Sequence, residues 1–336
     1  MFNREAQREE VVAIPRAFVT PYRRLLQKRT IDAPPTVILW WGTLGYAGKV
    51  TAGDLHAVDN LSKALAARGH AHAILSHPEL GLEGHLNLDD VFALRRTISR
   101  IIFVCGPLLD RSFLRDFLAV HPGARKYAVG VSIMPNEGRM TERFDAIVAR
   151  DGAAESHFDL APHGIAAATS PSLNPPRRVG LCLRGAQGEY GPGRRSEHEK
   201  AERLFAETIR RHGFDVHAVD TELAPGQGPE QIAGRFADAD LILTTRMHGA
   251  LLGLAMGRPV IAIDQIPGTA KVTAVLRRVG WPMTFEAATV TQADIDAAVD
   301  SIGSSDIQSA LAAAQEQVER LSGAAIDHAA DVIVAP

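Results

Sequence analysis

The sequence is poor in cysteine, in aromatic residues and in net charge. Two cysteines among 336 residues cannot build the disulfide framework of a small secreted domain. Cys105 and Cys182 both lie in apolar, strand-like runs, which points to buried thiols in a reducing compartment. A formal net charge of -3 argues against a protein built to coat nucleic acid. No run approaches the roughly 20 apolar residues of a membrane span. The charged first residues lack the apolar core of a signal peptide. A cytoplasmic protein without a nucleic-acid partner is expected. Two phosphate-binding signatures are also missing: there is no Gly-x-Gly-x-x-Gly and no Gly-Lys-Ser/Thr. No His, Cys or Asp group has ligand spacing along the chain, so neither a metal nor a cofactor is expected.

What is present is an ordinary globular composition, 46% hydrophobic and 22% charged, with enough chain for two cores. The chain is organised around residues 241–271. Residues 241–245 are apolar and β-branched, as in a buried parallel strand. Arg246, Met247 and His248 follow at its carboxyl end. Residues 249–256 are small and apolar and predict a tightly packed helix, ended by Gly257 and barred by Pro259. Residues 260–264 form a second strand. Such a strand–helix–strand unit puts Arg246 and His248 at the open sheet edge, where α/β folds bind ligands. The helix start adds free N–H groups and a positive dipole end, which suit phosphate or carboxylate. The expectation is an anion site with His248 as proton carrier.

Residues 1–35 read as a basic helical extension, with Phe18, Tyr22, Leu25 and Leu26 on one face. It serves either as a surface helix or as a contact with an anionic membrane surface. Residues 36–41 form the first strand. A loop with Gly42, Gly45, Gly48 and Gly53 follows, and Asp54 caps the next helix. Loop glycines either approach a ligand or only turn the chain; Gly45, Gly48 and Asp54 are kept as substrate candidates. Further strands are expected at 71–75, 101–105, 127–133, 146–149 and 165–168. Arg150 and Asp151 follow the 146–149 strand and lead into a short helix through His157, so Arg150 repeats the placement of Arg246.

Residues 169–176, rich in Pro and small polar residues, make the best linker. They separate an N-terminal Rossmann-like domain, 36–170, from a C-terminal one, 177–303, followed by a helix and tail, 304–336. In the second half, strand 179–183 ends at Arg184, and a glycine-rich loop carries Arg194 and Arg195. Ser196 and Glu199 form a capping box for a helix ended by Gly213. Lys271 stands at another helix start. The shared alternation of strand and helix predicts an α/β protein with two parallel sheets facing across a cleft.

Several segments together resemble the polysaccharide pyruvyltransferase family. Thr245-Arg246-Met247-His248-Gly249-Ala250, then Gly257-Arg258-Pro259-Val260-Ile261 and Lys271-Val272, look like that family's Arg-Leu-His-Gly block and downstream lysine. Gly45-Tyr46-Ala47-Gly48 with Ala52-Gly53-Asp54 is similar to its first glycine-rich loop. Val148-Ala149-Arg150-Asp151 resembles its Arg-Asp motif, and Val129-Gly130-Val131 and residues 179–184 resemble its strands. Cys105-Gly106-Pro107 departs from the family's glycine triplet, and Ser170-Pro171 from its Asp-Pro. The resemblance implies a fold like the two-domain glycosyltransferase type B. It implies phosphoenolpyruvate as donor and a sugar diol of a polysaccharide, or of a lipid-linked oligosaccharide precursor, as acceptor, joined as a pyruvate ketal. That donor carries two oxyanions, which arginine forks suit. Ketal formation needs a proton on its methylene carbon, which a histidine can supply near neutral pH. His248 is therefore expected as general acid, Arg150 and Arg246 as holders of phosphate or carboxylate, and Lys271 and the Gly249 helix start as part of the anion pocket. Arg184, Arg194 and Arg195 are expected to close over the donor. Two other functions fit the same architecture: a nucleotide-sugar glycosyltransferase, which a Glu pair gripping ribose would favour and for which Asp264-Gln265 offers only one acid, and a non-catalytic cleft protein.

Overall fold

A computed structural model describes residues 35–43, 50–87, 98–134, 138–168, 174–186, 195–219, 222–223, 229–268 and 271–335. Residues 1–34, Gly45, Gly48 and Arg194, each given a role above, lie outside the described residues.

The chain folds around two all-parallel sheets. The first contains β1 (Thr36–Trp40), β2 (Ala73–Ser76), β3 (Leu86–Asn87), β4 (Arg100–Leu108), β5 (Arg125–Ile133) and β6 (Ala146–Asp151), in the order β3-β2-β1-β4-β5-β6. The second contains β7 (Arg178–Cys182), β8 (Asp215–Ala218), β9 (Leu241–Thr244), β10 (Val260–Asp264) and β11 (Thr284–Glu286), in the order β11-β10-β9-β7-β8. β1 and β9 are buried throughout, as the unbroken apolar runs require of strands covered on both faces. Strand order reverses between β1 and β4 in one sheet and between β7 and β9 in the other. In open α/β folds the carboxyl ends flanking such a reversal are where ligands bind.

The helices follow the amphipathic runs: α1 (Ala52–Ala67), α2 (Ser112–Val120), α3 (Gly138–Thr141), α4 (His198–His212), α5 (Pro229–Ala237), α6 (Met247–Ala255), α7 (Lys271–Arg278), α8 (Gln292–Ser301) and α9 (Ser305–Val334). In α6 every residue but His248 is buried. Its glycines permit this. A Cβ on Gly253 would stand 2.8 Å from Val260, and one on Gly249 would stand 2.6 Å from Thr244 Oγ1 and 2.8 Å from Cys182 Sγ. α9 runs for 30 residues, well past the 307–321 periodicity. It packs on both α6 and α1, joining the halves. Gln315 donates to the Ala255 carbonyl, and Arg68 at the end of α1 pairs with Asp327 and Asp331. Among the described residues, no helix is long and apolar enough to cross a membrane.

Four local expectations are corrected. Residues 152–155 form bends and 156–157 irregular chain, with no helix, and 165–168 form no strand. Instead, the Ala168 amide bonds the Met256 carbonyl of the second half. The capping residue of α1 is Thr51, with Asp54 at the third helical position; each satisfies the other in a capping box. The Ser196–Glu199 box does not form, because α4 begins one residue later with Glu197 as its cap, and the Glu197 amide is drawn to the Gln265 carbonyl.

Candidate active site

The carboxyl-end segments of the two sheets meet at His248. The helix begins at Met247, with Arg246 as its cap, so the imidazole projects from the first turn of α6 at the reversal point of the second sheet. It crosses to the first half. His248 Nδ1 is 3.3 Å from Thr51 Oγ1, and Nε2 is 3.3 Å from Asp159 Oδ2. Gly53 makes the crossing possible, since a Cβ there would stand 2.3 Å from the ring. Both separations are slightly longer than an ordinary N–H···O bond, so an arriving substrate atom can displace either.

Asp159 is the group that sequence reasoning missed. It sits in irregular chain after β6 and is fully buried. Its loop is fastened from three sides. Asn60 of α1 donates to the carbonyls of Leu160, Ala161 and His163; Ser322 of α9 donates to the Asp159 carbonyl; Arg278 of α7 donates to the His157 carbonyl and lies over the Phe158 ring. The Asp159 carboxylate accepts from the Ala161 amide at 2.8 Å and from Arg150 at 2.6 Å. Burial alone would raise its pKa. The charges of His248 and Arg150 win, and hold it well below the usual carboxylate range. Nothing in local spacing announces this aspartate, because its partners are 9 and 89 residues away.

Arg150 therefore plays a different part from the one expected. Its side chain is 3% exposed. It donates to Asp159, Asp151 and Ser132, with Cys105 Sγ at 3.9 Å. Burial disfavours its charge, but Asp159 and Asp151 more than compensate, and its pKa stands well above the ordinary value. This guanidinium fixes Asp159 and is not turned towards an open anion pocket. Arg246 is also engaged, through Nε to the Leu183 carbonyl and through Nη2 to Glu222, both at 2.7 Å. Glu222 pairs in turn with Thr51 across an antiparallel bridge, and the Leu223 amide bonds the Val50 carbonyl. Arg246 thus ties the carboxyl end of the second sheet to the strand of chain that caps α1.

Asp54 closes the site from below. Its Oδ2 accepts from the Thr51 amide and hydroxyl, and its Oδ1 accepts the Cys105 thiol proton at 3.1 Å. Cys105 has a left-handed backbone, φ 68°, which costs a side-chain-bearing residue about 1–2 kcal/mol. The following Gly106 is left-handed too, at φ 76°. Burial first, and the Asp54 charge second, push the Cys105 thiol pKa well up. Asp54, Cys105 and His248 each offer a ligand atom within 4.8 Å of the others. The chain spacing gave no sign of such a group, since the three lie on α1, β4 and α6. Nearby, burial and then the charges of His248 and Lys63 push the His56 imidazole down to about 4, so it is neutral at neutral pH.

The other candidates are placed as follows. Arg184 is exposed at the carboxyl end of β7, its amide bonding Thr245 Oγ1. Lys271 is the first residue of α7, and Arg195 is exposed before α4. Gly249 is buried beneath α6 against Thr244 and Cys182. Its missing side chain lets the first turn of α6 pack closely on β9 and β7. Asp264 is buried and accepts from the amides of Ile266 and Thr273. It caps the approach to α7.

Two parallel-sheet α/β domains meeting at His248 have the architecture of glycosyltransferase type B. The solved glycotransferase of kitacinnamycin is similar, with 15% identity and TM-score 0.51 over 90% of this chain and 99% of that one. Spinosyn rhamnosyltransferase SpnG shows 13% identity and TM-score 0.50 over 87% and 96%. A putative UDP-N-acetylglucosamine 2-epimerase from Listeria monocytogenes shows 9% and 0.50 over 90% and 95%. At such identities the likeness is one of fold. Within that fold, residues 193–265 match the family model described as polysaccharide pyruvyl transferase. The matched stretch contains Arg246, His248 and Gly249. No curated protein matches the sequence.

Proposed function

We propose that the chain is a pyruvyltransferase that moves the enolpyruvyl group of phosphoenolpyruvate onto a sugar diol, as a ketal, with release of phosphate. The family-model match over residues 193–265 supports a transferase of this kind. The observation that carries the chemistry is the placement of His248, a titratable ring where the carboxyl-end segments of the two sheets meet, with a carboxylate behind one nitrogen.

In the proposed reaction the imidazolium gives its Nδ1 proton to the donor's methylene carbon. Nε2–H keeps its bond to Asp159, which orients the ring and balances its charge, with Arg150 holding Asp159 in turn. A sugar hydroxyl adds to the resulting cationic carbon and loses its proton. The C–O bond to phosphate breaks, and the phosphate carries away the bonding pair. A second hydroxyl, losing its own proton, closes the ring. The first turn of α6 offers backbone N–H groups to an oxyanion, and Arg184, Arg195 and Lys271 stand at the second-sheet carboxyl ends as further cations. The acceptor is a polysaccharide or lipid-linked precursor.

The test is ligand-dependent melting followed by turnover. Phosphoenolpyruvate raises the melting temperature and uridine or thymidine diphosphates do not; a diol sugar panel then yields phosphate release. Stabilisation by the nucleotides alone overturns the proposal.

A further inference from the structure

We infer that Asp54, Cys105 and His248 form a site for a thiophilic divalent cation such as zinc, and that this ion competes with the proton for His248 Nδ1. Binding stands apart from the proposed reaction; only its inhibitory consequence rests on that reading.

The donor set is one oxygen, one sulfur and one nitrogen within 4.8 Å of each other. Zinc takes such ligands at about 2.0–2.3 Å in a tetrahedron. Asp54 Oδ1 and Cys105 Sγ already stand 3.1 Å apart, close to the spacing of two ligands on one ion. The surroundings complete the pattern. A ligating histidine nearly always gives its other N–H to a carboxylate, a backbone carbonyl or water, and Asp159 occupies that place at Nε2. This leaves Nδ1 on the side of Thr51 and Asp54. A ligating carboxylate is itself hydrogen-bonded, and Thr51 satisfies Asp54 Oδ2 twice, leaving Oδ1 for the ion. Charge also closes: a carboxylate and a thiolate neutralise a dication, while Asp159 is balanced by Arg150. The buried cysteine is held at a left-handed backbone position, and such strained residues gather at functional sites. On binding, the thiol proton leaves to solvent as the metal–sulfur bond forms, so affinity rises with pH.

The experiment is a cobalt(II) titration of the full chain kept reduced. We expect one ion per chain, with thiolate-to-cobalt charge transfer in the near ultraviolet and the intense visible bands of a four-coordinate ion. Zinc displaces the cobalt. Cys105→Ser removes the charge-transfer band, and Cys182→Ser, at the other buried thiol, retains it, so the assignment holds even if one variant folds poorly. Asp159→Asn weakens zinc binding about 10–100-fold without removing the band. A wild-type titration without the thiolate band, or a band that survives Cys105→Ser, overturns the site. Zinc is also expected to stop phosphate release until a chelator is added. A normal cobalt spectrum with undiminished phosphate release keeps the ion site, refutes the competition and removes His248 from the reaction.

Discussion

Gly53→Ala is the sharpest perturbation of the site. Gly53 is the second residue of α1, and its absent side chain is the space that His248 fills. A methyl group there would stand 2.3 Å from ring atoms Cγ and Nδ1. Favourable contact begins at about 3.5 Å, so the imidazole must retreat by about 1.2 Å. It cannot retreat freely, because Asp159 and Thr51 bracket it. A shift of about 1 Å in a catalytic group costs on the order of 100-fold in rate. The stability effect is smaller. Overpacking costs about 1–3 kcal/mol, offset by up to about 1 kcal/mol from alanine's better helix propensity. The variant should therefore fold, melt a few degrees lower and turn over about 100-fold more slowly. The assay is phosphate release beside a thermal melt. A folded Gly53→Ala protein with wild-type turnover would show that the position of the ring does not matter, and the catalytic argument would fail.

Two further substitutions separate packing from charge. Asp159→Asn strips Arg150 of its main partner inside the protein; breaking a buried pair in this way costs about 3–5 kcal/mol, read by denaturant unfolding. The same group predicts a pH dependence. Burial would raise the Asp159 pKa, but His248 and Arg150 hold it below the unfolded value, so its stabilisation is complete above the ordinary carboxylate pKa and is lost as pH falls through the folded value. Wild-type stability should decline on acidification, and Asp159→Asn should flatten that limb; parallel slopes would contradict the assignment. Gly249→Ala places a methyl 2.6 Å from Thr244 Oγ1 and 2.8 Å from Cys182 Sγ, and should destabilise by about 1–3 kcal/mol, with unchanged stability as the refuting result.

The strand–helix–strand around His248 was readable because its signals are local: an apolar β-branched run, small residues, then Gly257 and Pro259. The same holds for both parallel sheets, which follow from strand and helix alternation. Short β3 and β11 carry too few residues for a period to show. Asp159 was hidden because its importance is wholly tertiary: the stretch after Arg150 has no period, and three other elements pin it. Arg150 was placed correctly at a strand end, but its burial against two aspartates depends on contacts that spacing does not encode. Cys105 read as a buried thiol departing from a glycine pattern. Only the structure reveals its left-handed backbone and its contact with Asp54. α9 extends beyond its sequence signal because its later buried residues, such as Ala325, Ala329 and Ala330, are small, and small residues give a weak period in sequence.

The central claim is that His248 protonates the donor carbon. It is tested most directly by running the reaction in deuterium oxide and measuring the isotope content of the ketal methyl group alongside the rate for wild type and His248→Asn. The account predicts one deuterium per methyl group in the wild-type product, and a rate about 100–10,000-fold lower in the variant. A ketal methyl without solvent deuterium, or a variant as fast as wild type, would contradict it.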